Sequence, residues 1–130
     1  MPRAYTLATA ALALNVTSKW LDNTLSRYRV QGVVQSRQGV SRRLPIESLT
    51  LIAIALDLIA DFEIPLPKAL GLATRLATSA GKLTLESGAR IEIDLANITG
   101  SLLHRLEHAV EVAPLPRRGR PPQKTTGRLD

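Results

Sequence analysis

Hydrophobic positions along the chain change period several times, and those changes mark its elements. Tyr5 to Leu14 (YTLATAALAL) carries Leu7, Ala11, Leu12 and Leu14 at spacings that predict a short helix packed by those residues. Asn15-Val16 breaks it. Thr17 or Ser18 can cap a second helix over Lys19 to Tyr28, with Leu21 and Leu25 inward and Lys19, Asn23, Ser26 and Arg27 outward. Val33-Val34-Gln35 and Val40 to Leu44 flank Ser36-Arg37-Gln38-Gly39 and predict a small hairpin, after which Pro45 opens a helix at its first position. That helix, Ile46 to Asp61, has Leu49, Ile52, Ala53, Leu56 and Ile59 on one face. Beyond Pro65 and Pro67, a helix from about Lys68 to Ala80 turns Leu70, Ala73, Leu76 and Ala77 inward.

The period then falls to two. In KLTLESGARIEID, residues 82 to 94, Leu83 and Leu85 and then Ile91 and Ile93 alternate with polar positions on either side of a Glu86-Ser87-Gly88 turn, which reads as a β-hairpin. Leu95 to Val112 returns to helical spacing, with Leu95, Ile98, Leu102, Leu106 and Val110 in one stripe. An isolated hairpin is marginal in water, so hairpin and stripe need a surface, either the chain's own core or a second copy. The expected fold class is therefore mainly α with small β. Three regions follow from the pattern: residues 1–80, a hairpin-plus-helix module over 81–113, and a tail over 114–130.

Composition narrows the class. The 130 residues suffice for one domain with a core, and 45% hydrophobic residues with 3% aromatics make that core aliphatic. No cysteine is present, so disulfides and Cys-ligated metal are excluded and an intracellular, cytoplasmic setting is expected. No secretory signal is read at the N-terminus, and the apolar run Leu49 to Ala60 is too short to span a bilayer. No membrane association is expected.

The net charge of +6 conceals a polarity. Residues 1–43 carry Arg3, Lys19, Arg27, Arg29, Arg37, Arg42 and Arg43 against Asp22 alone. Residues 44–113 hold five bases against nine acids, and residues 114–130 hold five bases against Asp130. Two basic ends around an acidic middle favour a polyanionic partner, nucleic acid before membrane, since neither end carries a long amphipathic stripe. The acidic middle could meet a protein partner.

Two short helices joined by a tight turn, the second polar outside, then a hairpin with Arg37, Arg42 and Arg43 about its tip and base, form a winged helix-turn-helix pattern. The order of Tyr5-Thr6-Leu7, NVTSKWL, SRQGVSRRLPIESL and PLPKALGLA resembles the MerR-like winged helix-turn-helix domains and their excisionase-type relatives, over about residues 5 to 78. The resemblance implies that Thr17, Ser18, Lys19, Trp20 and Asn23 face the major groove of double-stranded DNA with Arg27 nearby. It further implies that Arg37, Arg42 and Arg43 hold phosphates. It also implies a two-fold homodimer, for which the stripe of Leu95, Ile98, Leu102, Leu106 and Val110, with the hairpin that needs cover, is the expected seam. Trp20 has an alternative place in the core or at an interface. The chain departs from the family at Asp22-Asn23, where an Arg-Tyr pair is usual, and a carboxylate there would repel a phosphate.

Residues 116 to 124, PRRGRPPQK, resemble an AT-hook. Gly119 has no Cβ, so its backbone can approach a minor-groove floor about 6 Å wide. Arg118 and Arg120 would extend along that floor with Arg117 near a phosphate, and narrow A·T tracts concentrate negative potential there. Pro121 and Pro122 keep the segment extended. HRLEH, residues 104 to 108, matches a zinc-peptidase pattern, but only Glu111 and Asp130 remain downstream as a third ligand, and a solvated helix face is the expected reading. No Ser-His-Asp, Walker-type or Gly-rich phosphate motif occurs. The expectation is a non-enzyme without cofactor or metal: a sequence-specific dimeric DNA-binding regulator at the nucleoid, acting as a repressor or autoregulator. An architectural or excisionase-like factor and an antitoxin or adaptor are the alternatives.

Overall fold

The computed structural model describes residues 4–33 and 42–112. Among them the order is β1 (Ala4–Tyr5), α1 (Leu7–Leu14), α2 (Ser18–Arg27), β2 (Leu44–Pro45), α3 (Ile46–Phe62), α4 (Leu66–Thr78), β3 (Lys82–Thr84), β4 (Arg90–Glu92) and α5 (Leu95–Val112). The chain is mainly helical, with two small antiparallel sheets, β1 with β2 and β3 with β4.

Local chemistry sets the helix boundaries. Thr6 and Thr17 cap α1 and α2, their side-chain oxygens accepting from the N–H of Thr9 at 3.2 Å and of Trp20 at 2.9 Å. Tyr5, expected inside the first helix, instead pairs with Leu44 in the small sheet. The residue preceding α3 is Pro45, and Pro67 falls in the first turn of α4, where a missing N–H costs nothing. α4 starts at Leu66, slightly earlier than expected.

α3 is the central element. Leu49, Leu51, Ile52, Ala53, Ile54, Ala55 and Leu58 are buried on several sides of it, which a single inward face did not anticipate. α4 packs along it through Ala69, Leu70, Ala73 and Leu76, and α1 and α5 pack against each other and against α3. Within α1, Ala10, Ala11, Ala13 and Leu14 are buried, whereas Leu12, expected inside, is 50% exposed. A helix made almost wholly of Leu, Ala and Thr has no polar stripe to reveal its outer side.

The C-terminal pieces share this core. Leu102 and Leu106 are 0% exposed and Ala109 is buried with them, in one cluster with the residues of α1, α3 and α4. Two members of the expected dimer seam, Leu102 and Leu106, are thus buried within one chain, where α5 packs against α1 and α3. Leu95 and Ile98 are half-buried against the same core, and Val110 points outward at 40% exposure. Leu83, Ile91 and Ile93 of the hairpin segment pack against the same cluster.

The expected hairpin is present as β3 and β4, with Leu83 opposite Ile91 and a turn closed by Gly88 N–H to Leu85 O at 2.9 Å. Gly81 joins it to α4. A Cβ there would lie 2.6 Å from Ile93 O, and φ is +85°, so only glycine lets the two backbones approach.

Candidate nucleic-acid interface

The α1–α2 junction is three residues long. Asn15 adopts φ 60° at the end of α1, its N–H donating back to Leu12 O at 3.2 Å, and Val16 N–H donates to Ala11 O at 3.0 Å. These bonds satisfy the last carbonyls of α1 and set Thr17 to begin α2. Ala13 O, one more orphan, accepts from Arg105 Nη1 of α5 at 2.9 Å. A cation at a helix C-terminus is favourable, so α5 braces the turn from behind. Beside this guanidinium, burial and the neighbouring Asp61 hold the Asp57 carboxyl above its ordinary pKa against the opposing pull of Arg105.

α2 presents two unlike sides. Leu21, Thr24 and Leu25 are buried, while Ser18, Lys19, Asp22, Asn23, Ser26 and Arg27 are exposed. The Arg27 guanidinium lies 5.7 Å from the Tyr28 ring centre. Thr17 is exposed but its side-chain oxygen is engaged as the cap. Trp20 differs from its exposed neighbours. It is half-buried and lines an apolar groove with Val16, Leu56, Ile59 and Leu66, which favours the interior alternative over a groove-facing role.

Arg42 departs most from expectation. Its guanidinium makes an ion pair with Asp22 and donates from Nη2 to Ser26 Oγ at 3.0 Å. Ser26 Oγ in turn donates to Asp22 O at 2.9 Å. The Arg42 side chain is only 13% exposed, and its buried Nε has no partner among the described residues. Arg42 is thereby committed to α2 rather than extended towards solvent. It also neutralises the one carboxylate on the outward face of α2. Arg43, the next residue, is exposed. Arg37 and the tail residues Arg117, Arg118, Gly119 and Arg120 lie outside the described residues, as does the tip of the expected hairpin. Leu44, expected as part of its return strand, pairs with Tyr5.

Behind this face, Ser48 Oγ of α3 donates to Gln31 O at 2.6 Å. Gly32, with φ +91°, lies so close that a Cβ would stand 2.6 Å from Ser48 Oγ. The segment leaving α2 is therefore pinned to the start of α3. Sequence reasoning missed Asp22, Ser26, Ser48 and Arg105 as positioning residues. Only Asp22 left a signal, as the single acid in a basic stretch. Among the described residues no group of three or more His, Cys, Asp or Glu could hold a metal, and His104 and His108 are exposed on α5. Nor is any helix there long and apolar enough to cross a membrane. Comparison with protein-family models, curated proteins and solved structures found no match to this chain.

Proposed function

We propose that this protein binds duplex DNA through the outward face of α2 and acts as a sequence-specific regulator. The observation carrying this reading is the α2 face itself: Lys19, Asn23 and Arg27 are exposed and Asp22 is cancelled by Arg42. A helix of this length, rigidly entered through a three-residue turn, fits the major groove, and Lys and Arg supply the phosphate attraction that dominates affinity. Asn23 is the candidate for base reading, since an Asn amide can bond adenine at two points. Arg43 with Arg37 would grip flanking backbone, and the tail would reach an adjacent minor groove. The two-fold dimer is an expectation from the family resemblance and the α5 stripe, of which Leu102 and Leu106 are buried within one chain while Val110 is exposed.

The test is duplex binding as a function of salt. Log K should fall with log salt by about 0.9 for each phosphate neutralised, and Lys19→Ala should flatten that slope by about one such step across all sequences. Asn23→Ala should instead relax preference at one base position. Salt-insensitive binding, or no binding to any duplex in a randomised pool, would remove the proposal.

A further inference from the structure

One cavity lies away from the α2 face. It is a groove of about 550 Å³ bounded by the start of α3, the end of α4, the start of α5 and the Gln31–Gly32 turn. That volume falls within the range of small-molecule sites. Its walls include the apolar side chains of Ile46, Leu51, Ala77 and Leu95.

Hydrogen-bond accounting gives the polar positions a sign. Thr50 Oγ1 already donates to Ile46 O at 2.8 Å, and Thr78 Oγ1 to Thr74 O at 3.0 Å. A hydroxyl has one proton and two lone pairs, so both of these face the groove as acceptors. Among the described residues Glu47 is the only charged side chain lining it, with no Lys or Arg. The positive end of α3 and the negative end of α4 open on the same space and oppose each other. The positive end of α5 is met by Asp94, whose Oδ1 accepts from Asn97 N–H at 3.0 Å. The carboxylate of Glu47 therefore sets the local charge.

We propose that this groove binds a small apolar molecule bearing a protonated amine, its body against Leu51, Ala77 and Leu95 and its ammonium on Glu47 and the threonine oxygens. The amine meets the Glu47 carboxylate and the two threonine acceptors, and an anion of the same shape would meet a like charge. The site is separate from the outward face of α2, so its test involves no nucleic acid.

The probe is 1-naphthylmethylamine, with 1-naphthoate as the anion of similar body, titrated into the full chain and followed by amide chemical shifts. The amine should give saturable shifts at Thr50, Ala77, Thr78 and Thr99, with naphthoate binding at least tenfold more weakly. Glu47→Gln, at an exposed position, should keep the spectrum of the folded protein and weaken the amine by roughly fivefold, the upper range for an exposed ion pair. Shifts centred elsewhere, none up to millimolar amine, equal binding of naphthoate, or no effect of Glu47→Gln would overturn the assignment.

Discussion

At the scale of single residues, neighbouring arginines with the same side chain take opposite roles. Arg43 is exposed, while Arg42 is folded back onto Asp22 and Ser26. If Arg42 serves DNA binding only by cancelling Asp22 and holding the adjoining segment to α2, its value depends on Asp22 being charged. Arg42→Ala should then weaken duplex binding strongly in the wild-type background and much less in Asp22→Asn, a non-additive pair as expected for groups in contact. In Asp22→Asn, removing Arg42 should leave the salt slope unchanged, whereas Arg43→Ala should lower it by about 0.9. Equal losses from Arg42→Ala in both backgrounds, with a reduced slope, would make Arg42 a direct phosphate contact. No sequence pattern marks this difference, because the partners of Arg42, Asp22 and Ser26, lie twenty and sixteen positions earlier and are brought near only by the fold.

At the scale of elements, what could be read beforehand is the face, and what could not is the surface meeting it. The α2 cap at Thr17, the buried Leu21 and Leu25, and the β3–β4 turn were all legible because each depends on residues a few positions apart. Leu102 and Leu106 were rightly placed on a buried stripe, yet periodicity alone cannot tell an internal groove from a second copy. Leu44 was likewise legible as a strand residue, but its partner, Tyr5, is remote. The internal packing of α5 has a measurable consequence. Leu102→Ala should cost about 2–5 kcal/mol, the range for emptying a filled core position. Val110→Ala, at a 40% exposed site, should stay within about 0.5 kcal/mol. Denaturant melts at protein concentrations differing a hundredfold should give the same Leu102→Ala loss. A seam between copies would instead make that loss vary with concentration through mass action.

At the scale of the whole molecule, charge and packing are distributed differently. The buried cluster runs from Tyr5 to Ala109, and its last members come from α5. Five of the chain's seventeen Lys and Arg follow at residues 114–130, a stretch with no apolar side chain other than proline between Leu115 and Leu129. With so little to contribute to an apolar core, 114–130 should be removable with the thermal midpoint unchanged and duplex binding weakened. On the hook reading the loss is greatest on DNA flanked by A·T tracts, because tethering to an already bound domain raises the tail's effective concentration at the neighbouring minor groove. Gly119→Leu separates shape from charge: it keeps every cation and adds bulk where the backbone must approach the groove floor. It should reproduce most of the deletion's loss on A·T-flanked sites and little of it on G·C-flanked ones. Should Gly119→Leu bind both like wild type while Arg118→Ala and Arg120→Ala weaken both flanks equally, the tail acts through charge alone. Its contribution would then follow the salt slope and not the sequence of the flank.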